Sequence, residues 1–174
     1  PNQVIRVLDE STVHLIAAGE VVDRPVSVVK ELIENAIDAS SSRITVELVT
    51  SHGMISRIRI TDDGIGIPAD QVALAFLPHA TSKIRTGDDL LSCRTLGFRG
   101  EALASIAAVS YVTMVTRPKE SDVAVLFRIT GGEVIECTET GAPGGTSITV
   151  EEIFFNTPAR RKFLKSLQTE VAHV

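Results

Sequence analysis

Two hydrophobic periods divide the chain. Residues 12–20 carry a short helical pattern. The stretch RPVSVVKELIENAIDAS, residues 24–40, carries a longer one: Val28, Val29, Leu32, Ile33, Ala36 and Ile37 recur every three or four positions. Pro25 suits the first turn of that helix. The period then becomes two. Ile44, Val46 and Leu48 alternate with Thr45 and Glu47, and Ile58 and Ile60 alternate with Arg57, Arg59 and Thr61. These are half-buried strands, and the short polar link Ser51-His52-Gly53 makes them an antiparallel hairpin. A helix is predicted after Pro68, through Ala73 and Phe76, and residues 78–100 read as a long connection rich in Gly, Thr, Ser and Asp. The stretch GEALASIAAV reads as helix. Strands follow at 111–116, 123–129, 134–138 and 146–150, then a final helix in TPARRKFLKSL with Pro158 near its start. Helices first and adjacent strands later predict an α+β protein: a two-layer α/β sandwich with helices on one face of a mixed, largely antiparallel sheet.

Composition narrows the classes without choosing among them. A chain of 174 residues, 44 % hydrophobic and 22 % charged, suits one globular domain with a sizeable core. The net charge of −5 argues against gripping duplex nucleic acid by charge alone. No apolar run approaches the roughly 20 residues of a membrane span, and no signal peptide is visible. Cys93 and Cys137 make neither a disulfide framework nor a zinc site, and His14, His52, His79 and His173 lack metal-ligand spacing. An intracellular protein is the simple expectation. The chain starts at Pro1 and stops mid-pattern at QTEVAHV, so a fragment of something longer is expected.

Chemistry first surfaces in ELIENAIDAS, residues 31–40. At about 100° per residue, Glu31, Glu34, Asn35 and Asp38 share an arc of roughly 100°, opposite the apolar positions. One reading is an amphipathic helix with a solvated acidic face. Like charges at these spacings repel, by about 0.2–0.5 kcal/mol per pair, and Asn is a poor mid-helix residue. A cation relieves both problems. A carboxamide oxygen and carboxylates are hard ligands suited to Mg²⁺, which commonly also binds substrate phosphates, and a carboxylate beside it can deprotonate an attacking water.

TDDGIGIPAD, residues 61–70, spells G-x-G-x-x-A. The dinucleotide-fold reading fails because the preceding strand alternates, whereas a first Rossmann strand is a buried apolar run. Read as D-x-G-x-G, Asp62 closes the strand and points a carboxylate into a pocket, where it can accept from adenine N6, while Gly64 and Gly66 let the backbone turn beside a flat ligand. A common Asp-Gly turn is the plainer alternative. LGFRGEALASIAAV brackets a helix start with glycines, either as an anion site or as a capped start. HATSKI, residues 79–84, is either a phosphate lid or a solvated loop. In GAPGGTSITV, Thr146 opens a strand, either after a hairpin turn or reaching the base by its hydroxyl or a water. Arg160, Arg161, Lys162 and Lys165 read as a solvated basic helix end, with DNA phosphates as the alternative partner.

The order of these signals resembles the ATPase superfamily of gyrase, heat-shock chaperone ninety, histidine kinases and MutL. Within it, IAAGEVVDRPVSVVKELIENAIDA, HATSKI, LGFRGEALASI and FFNTPARRKFLK are similar to the MutL family of DNA mismatch-repair proteins, over residues 6 to 165. The resemblance implies a Bergerat-type fold with ATP between helices and sheet. It implies Glu31 as the base that activates water and Asn35 as the Mg²⁺ ligand. Asp62 would hold the adenine amine, with Gly66 lining the base pocket and Thr146 supporting it. Thr81, Ser82 and Lys83 would lie in the nucleotide lid, residues 78–100. Arg99, Gly100, Glu101, Ala102 and Leu103 would wrap the phosphates, and Glu34 would be structural or support its neighbours.

It further implies slow ATP hydrolysis to ADP as a dimerisation switch. Residues 1–20 would be an arm packing across a homodimer of N-terminal domains. Partners would be the mismatch-recognition protein MutS and, weakly and through the full-length protein, DNA. No membrane is expected, and the compartment would be cytoplasmic in a prokaryote or nuclear in a eukaryote. Residues 1–174 would be an N-terminal ATP-binding domain lacking the second subdomain, which supplies a lysine to the γ-phosphate, and the C-terminal dimerisation domain. A nucleotide-binding or interaction module without turnover is the alternative. The chain departs from the family pattern at Ser40, where Gly is frequent, and at Pro78, where a charge is common.

Overall fold

The computed structural model describes residues 6–78 and 100–174. Among them, α1 (Glu10–Val21) and α2 (Pro25–Asp38) lead into the hairpin β1 (Ile44–Ser51) and β2 (Met54–Asp62). Next come α3 (Ala69–Ala75), α4 (Ala102–Ala108), β3 (Tyr111–Arg117), β4 (Ala124–Thr130), β5 (Glu133–Thr140), β6 (Gly145–Glu151), α5 (Pro158–Phe163) and α6 (Leu167–His173). Local chemistry explains the helix ends. Asp9 caps α1: its carboxylate accepts from the Ser11 hydroxyl, from the Thr12 hydroxyl at 2.7 Å and from the Thr12 N–H at 2.9 Å. Together these bonds, the Ser11 hydroxyl foremost, hold the acid well below its ordinary pKa. Ser40, at φ +58, turns the chain out of α2.

The strands order as β1-β2-β6-β3-β4-β5. The sheet expected to be mixed and largely antiparallel is antiparallel at each of these pairings. β2 therefore has antiparallel neighbours on both sides, which a Rossmann first strand does not. Register aligns the inward residues in rows. Ile58, Val150, Val112 and Ile129 face one another across four strands, as do Ile60, Ile148, Met114 and Phe127. All eight are buried. Against them pack Val28, Val29 and Leu32 of α2, Val72 of α3, Ile106 and Ala107 of α4 and Ala18 of α1. Phe76, just past α3, stacks on Phe127 with ring centroids 5.0 Å apart.

Three details differ from the sequence expectation. Ile37, placed by periodicity on the apolar side of α2, is 48 % exposed because the helix ends there and Ser40 turns the chain away. The single final helix is two. It stops at Phe163, Leu164 is extended, and Ser166 caps α6 by accepting from the Thr169 N–H. The Glu170 carboxylate takes the Lys165 N–H at 2.9 Å and fixes that break. Nor is the basic end uniformly solvated. The Arg160 guanidinium lies over Gly19 of α1, where a Cβ would sit 1.4 Å from it, and Arg161 bonds Glu152 at 3.2 Å.

Candidate functional site

The sheet's third inward row is polar. Asp62 pairs with Thr146, and Thr146 with Thr116, on the strand face that carries Ile60, Ile148 and Met114 two positions away along each strand. An acid and two hydroxyls stand where the alternation calls for another apolar row. Thr116 is 1 % exposed, and Asp62 and Thr146 are half-buried. Buried polar groups require partners, and these have them. Asp62 Oδ1 accepts from the Gly64 N–H at 2.8 Å and lies 3.1 Å from Ser41 Oγ. Burial nevertheless raises the Asp62 pKa, against the opposing pull of the Gly64 N–H, the Ser41 hydroxyl and the Thr146 N–H.

Asp63 has the opposite situation. It accepts from the N–H groups of Ser42 and Arg43 at 2.8 and 2.9 Å and from the Ser42 hydroxyl at 2.7 Å. These bonds lower its pKa to about 2, the Ser42 hydroxyl foremost. Asp63 pins the chain between α2 and β1, leaving Asp62 to face inward.

Glycine makes the 62–67 loop fit. Gly66 has φ +72, and a Cβ there would lie 2.3 Å from the Arg117 carbonyl oxygen; Gly145 has φ +115, and its Cβ would lie 2.1 Å from the Asp62 carbonyl oxygen. The loop is thus pressed between the end of β3 and the start of β6. It is also tied to α2. The Ile65 N–H donates to the Ala39 carbonyl at 3.0 Å. Ser41 Oγ lies 2.6 Å from the Ala36 carbonyl oxygen and shares its one proton between that oxygen and Asp62. The Ile67 N–H donates to Thr116 Oγ1 at 2.9 Å.

On α2, Glu31, Glu34, Asn35 and Asp38 are half-buried while Val28, Val29, Leu32 and Ala36 are buried. Lys30 Nζ lies 3.7 Å from Glu34 Oε1, an i,i+4 pair that relieves part of the crowding of like charge. Gly100, at φ +62, precedes Glu101, Ala102 and Leu103. Glu101 accepts the Ser105 N–H at 2.8 Å, and Leu103 anchors α4 on the core. Thr81, Ser82, Lys83 and Arg99 lie outside the described residues. Sequence reading missed Ser41 and Thr116. The signal for Thr116 was available: it follows Val112 and Met114 at the inward spacing, a polar residue in an apolar series. Ser41 gave no such signal, one serine of three in a row.

A cleft of about 390 Å³ lies elsewhere, between the β1–β2 turn and α5–α6. Ser51, His52, Glu152, Arg161 and Glu170 are among its lining, which includes none of the polar row, the 62–67 loop or the acidic face of α2.

The architecture and this polar row define a class. The family of histidine kinase-, DNA gyrase B- and HSP90-like ATPases matches residues 24–133, and the chain belongs to it. Within that class the similarity is to MutL. The DNA mismatch repair protein MutL of Methanoculleus marisnigri is 60 % identical over 172 residues, 98 % of this chain and 29 % of that protein. MutL of Acidobacterium capsulatum is 55 % identical over 98 % of the chain and 25 % of its own length. The chain therefore spans between a quarter and a third of these relatives. The structure of the Aquifex aeolicus MutL ATPase domain complexed with ADP superposes with a TM-score of 0.69 at 32 % identity, covering 88 % of this chain and 52 % of that one. The resemblance to MutL and the sandwich architecture expected from the motifs both hold.

Proposed function

We propose that this chain is an N-terminal ATP-binding domain whose nucleotide cycle serves DNA mismatch repair. The observation that carries the reading is the polar row itself: a half-buried carboxylate, Asp62, beside Thr146 in an otherwise apolar sheet face. Such a carboxylate accepts from an exocyclic amine and repels a carbonyl oxygen at the same place, which selects adenine. The ADP-bound MutL domain of similar fold supports the same ligand class. Gly66 lines the base pocket. Thr81, Ser82 and Lys83, with Arg99 and Gly100 through Leu103, close over the phosphates as a lid spanning 78–100.

Asn35 offers a carboxamide oxygen one helical turn from Glu31, on the half-buried acidic face of α2. That oxygen-rich donor set fits Mg²⁺, which when bound neutralises phosphate charge. Glu31 holds the attacking water and accepts its proton. ATP binding then favours association of two N-terminal domains through residues 1–20, and slow hydrolysis reverses it, in concert with MutS and, through the longer protein, DNA.

Calorimetric titration with ATP and Mg²⁺, with phosphate release followed in the same samples, tests the reading. The parent binds, Asn35→Ala loses the Mg²⁺-dependent part of binding, and Glu31→Ala binds without releasing phosphate. Equal binding by all three without turnover would leave a nucleotide-binding module. No binding by the parent would sink the proposal.

A further inference from the structure

Thr116 is buried, and its hydroxyl oxygen meets three groups. The Ile67 N–H lies at 2.9 Å, the Gly145 carbonyl oxygen at 3.3 Å and Thr146 Oγ1 at 2.9 Å. A hydroxyl has one proton and two lone pairs. The Ile67 N–H uses one lone pair. The Gly145 carbonyl can only accept, so it takes the Thr116 proton. The contact with Thr146 must then run the other way, with Thr146 donating to the second lone pair of Thr116. This arrangement satisfies all three contacts, and it spends the Thr146 proton inside the protein.

Thr146 is left with lone pairs, beside the Asp62 carboxylate, which also accepts. Both groups at that end of the row then ask for a donor. A 6-amino purine supplies one; a 6-oxo purine presents an acceptor against two acceptors. We infer that Thr116 is a positioning residue for base selection: by taking the Thr146 proton and holding the loop at Ile67, it makes the pocket discriminate the 6-amino from the 6-oxo purine. The inference rests on the reading of this site as an adenine pocket. Arg117, the next residue, braces the same wall, its guanidinium donating to the carbonyls of Ala142 at 2.7 Å and of Ser121.

The experiment compares ATP with ITP, which has a 6-oxo group and an N1 proton in place of the 6-amino group and bare N1, by calorimetry on the purified protein, Thr116→Val and Thr116→Ser. The parent prefers ATP. In Thr116→Val the Thr146 hydroxyl is released to turn its proton toward the base, so the ratio of ITP to ATP dissociation constants falls at least tenfold. In Thr116→Ser, which keeps the hydroxyl, the ratio stays within twofold of the parent. A merely structural Thr116 would weaken both nucleotides alike or lower Tm with the ratio intact; that outcome overturns the inference. A parent that binds ATP without preferring it removes the adenine reading, and the inference with it. If Thr116→Val does not fold, Thr116→Ala, which likewise has no group to take the Thr146 proton, carries the same comparison, and an unchanged ratio there overturns the inference equally.

Discussion

Asp62 and Asp63 are adjacent in sequence and opposite in their electrostatics. The Asp62 pKa is raised by burial, so its contribution to stability is present below the ordinary value of 3.8 and is lost as pH rises through the folded-state value. At neutral pH the ionised carboxylate is a liability that the ligand-free protein carries. Asp62→Asn, which keeps an oxygen for the Gly64 N–H, is expected to raise Tm at pH 7 and to weaken ATP binding at least tenfold. Scanning calorimetry with and without nucleotide checks both halves. Asp63 has the reverse sign: its stabilisation is complete above 3.8 and is lost as pH falls through about 2. Asp63→Ala should melt below the parent at pH 7, with the gap closing between pH 3.8 and about 2. The sequence identified Asp62 as the inward acid because it ends an alternating strand. It said nothing of Asp63, whose partners, Ser42 and Arg43, come together with it only when α2 hands over to β1.

At the scale of elements, periodicity located the helices and strands to within a few residues, because each buries one face and repeats accordingly. Its failure at the last helix has a physical origin. Residues 157–167 look uniformly helical, yet Ser166 and Glu170 satisfy backbone donors better by starting a new helix than by continuing the old one. Two of the three members of the row, Asp62 and Thr146, were found through motifs; the third, Thr116, was signalled by its inward spacing after Val112 and Met114, but only the register of β3 against β6 sets it beside the other two. Turns at the element ends give a paired test. Ser40 sits at φ +58, where a side chain is strained, so Ser40→Gly should stabilise by about 0.5–1 kcal/mol. Gly145 sits at φ +115 with the Asp62 carbonyl against it, so Gly145→Ala should destabilise by at least about 2 kcal/mol. Urea denaturation of both variants decides.

For the whole molecule, the chain spans 25 to 29 % of the two MutL relatives described above. The dimer belongs to the proposed function and has its own test. Val13 and Ile16 of α1 are 47 % and 49 % exposed. Ile16→Asp should keep nucleotide affinity and remain monomeric in sedimentation velocity with a non-hydrolysable ATP analogue, where the parent shifts toward dimer. A parent that stays monomeric at every concentration removes the switch.

The place of β6 has a consequence for how this chain is made. It is the last strand in sequence and a middle strand in space, bonded to β2 and to β3. During synthesis the hairpin β1–β2 and the meander β3–β4–β5 can each form first, but each leaves an open inner edge until residues 145–151 leave the ribosome. Those edges are the points at which a neighbouring nascent chain could pair in error. Insertion of β6 closes them, and in the same event it brings Thr146 between Asp62 and Thr116. The polar row and the sheet are therefore completed together, so a chain that has not finished its sheet has no complete row of Asp62, Thr146 and Thr116 to present.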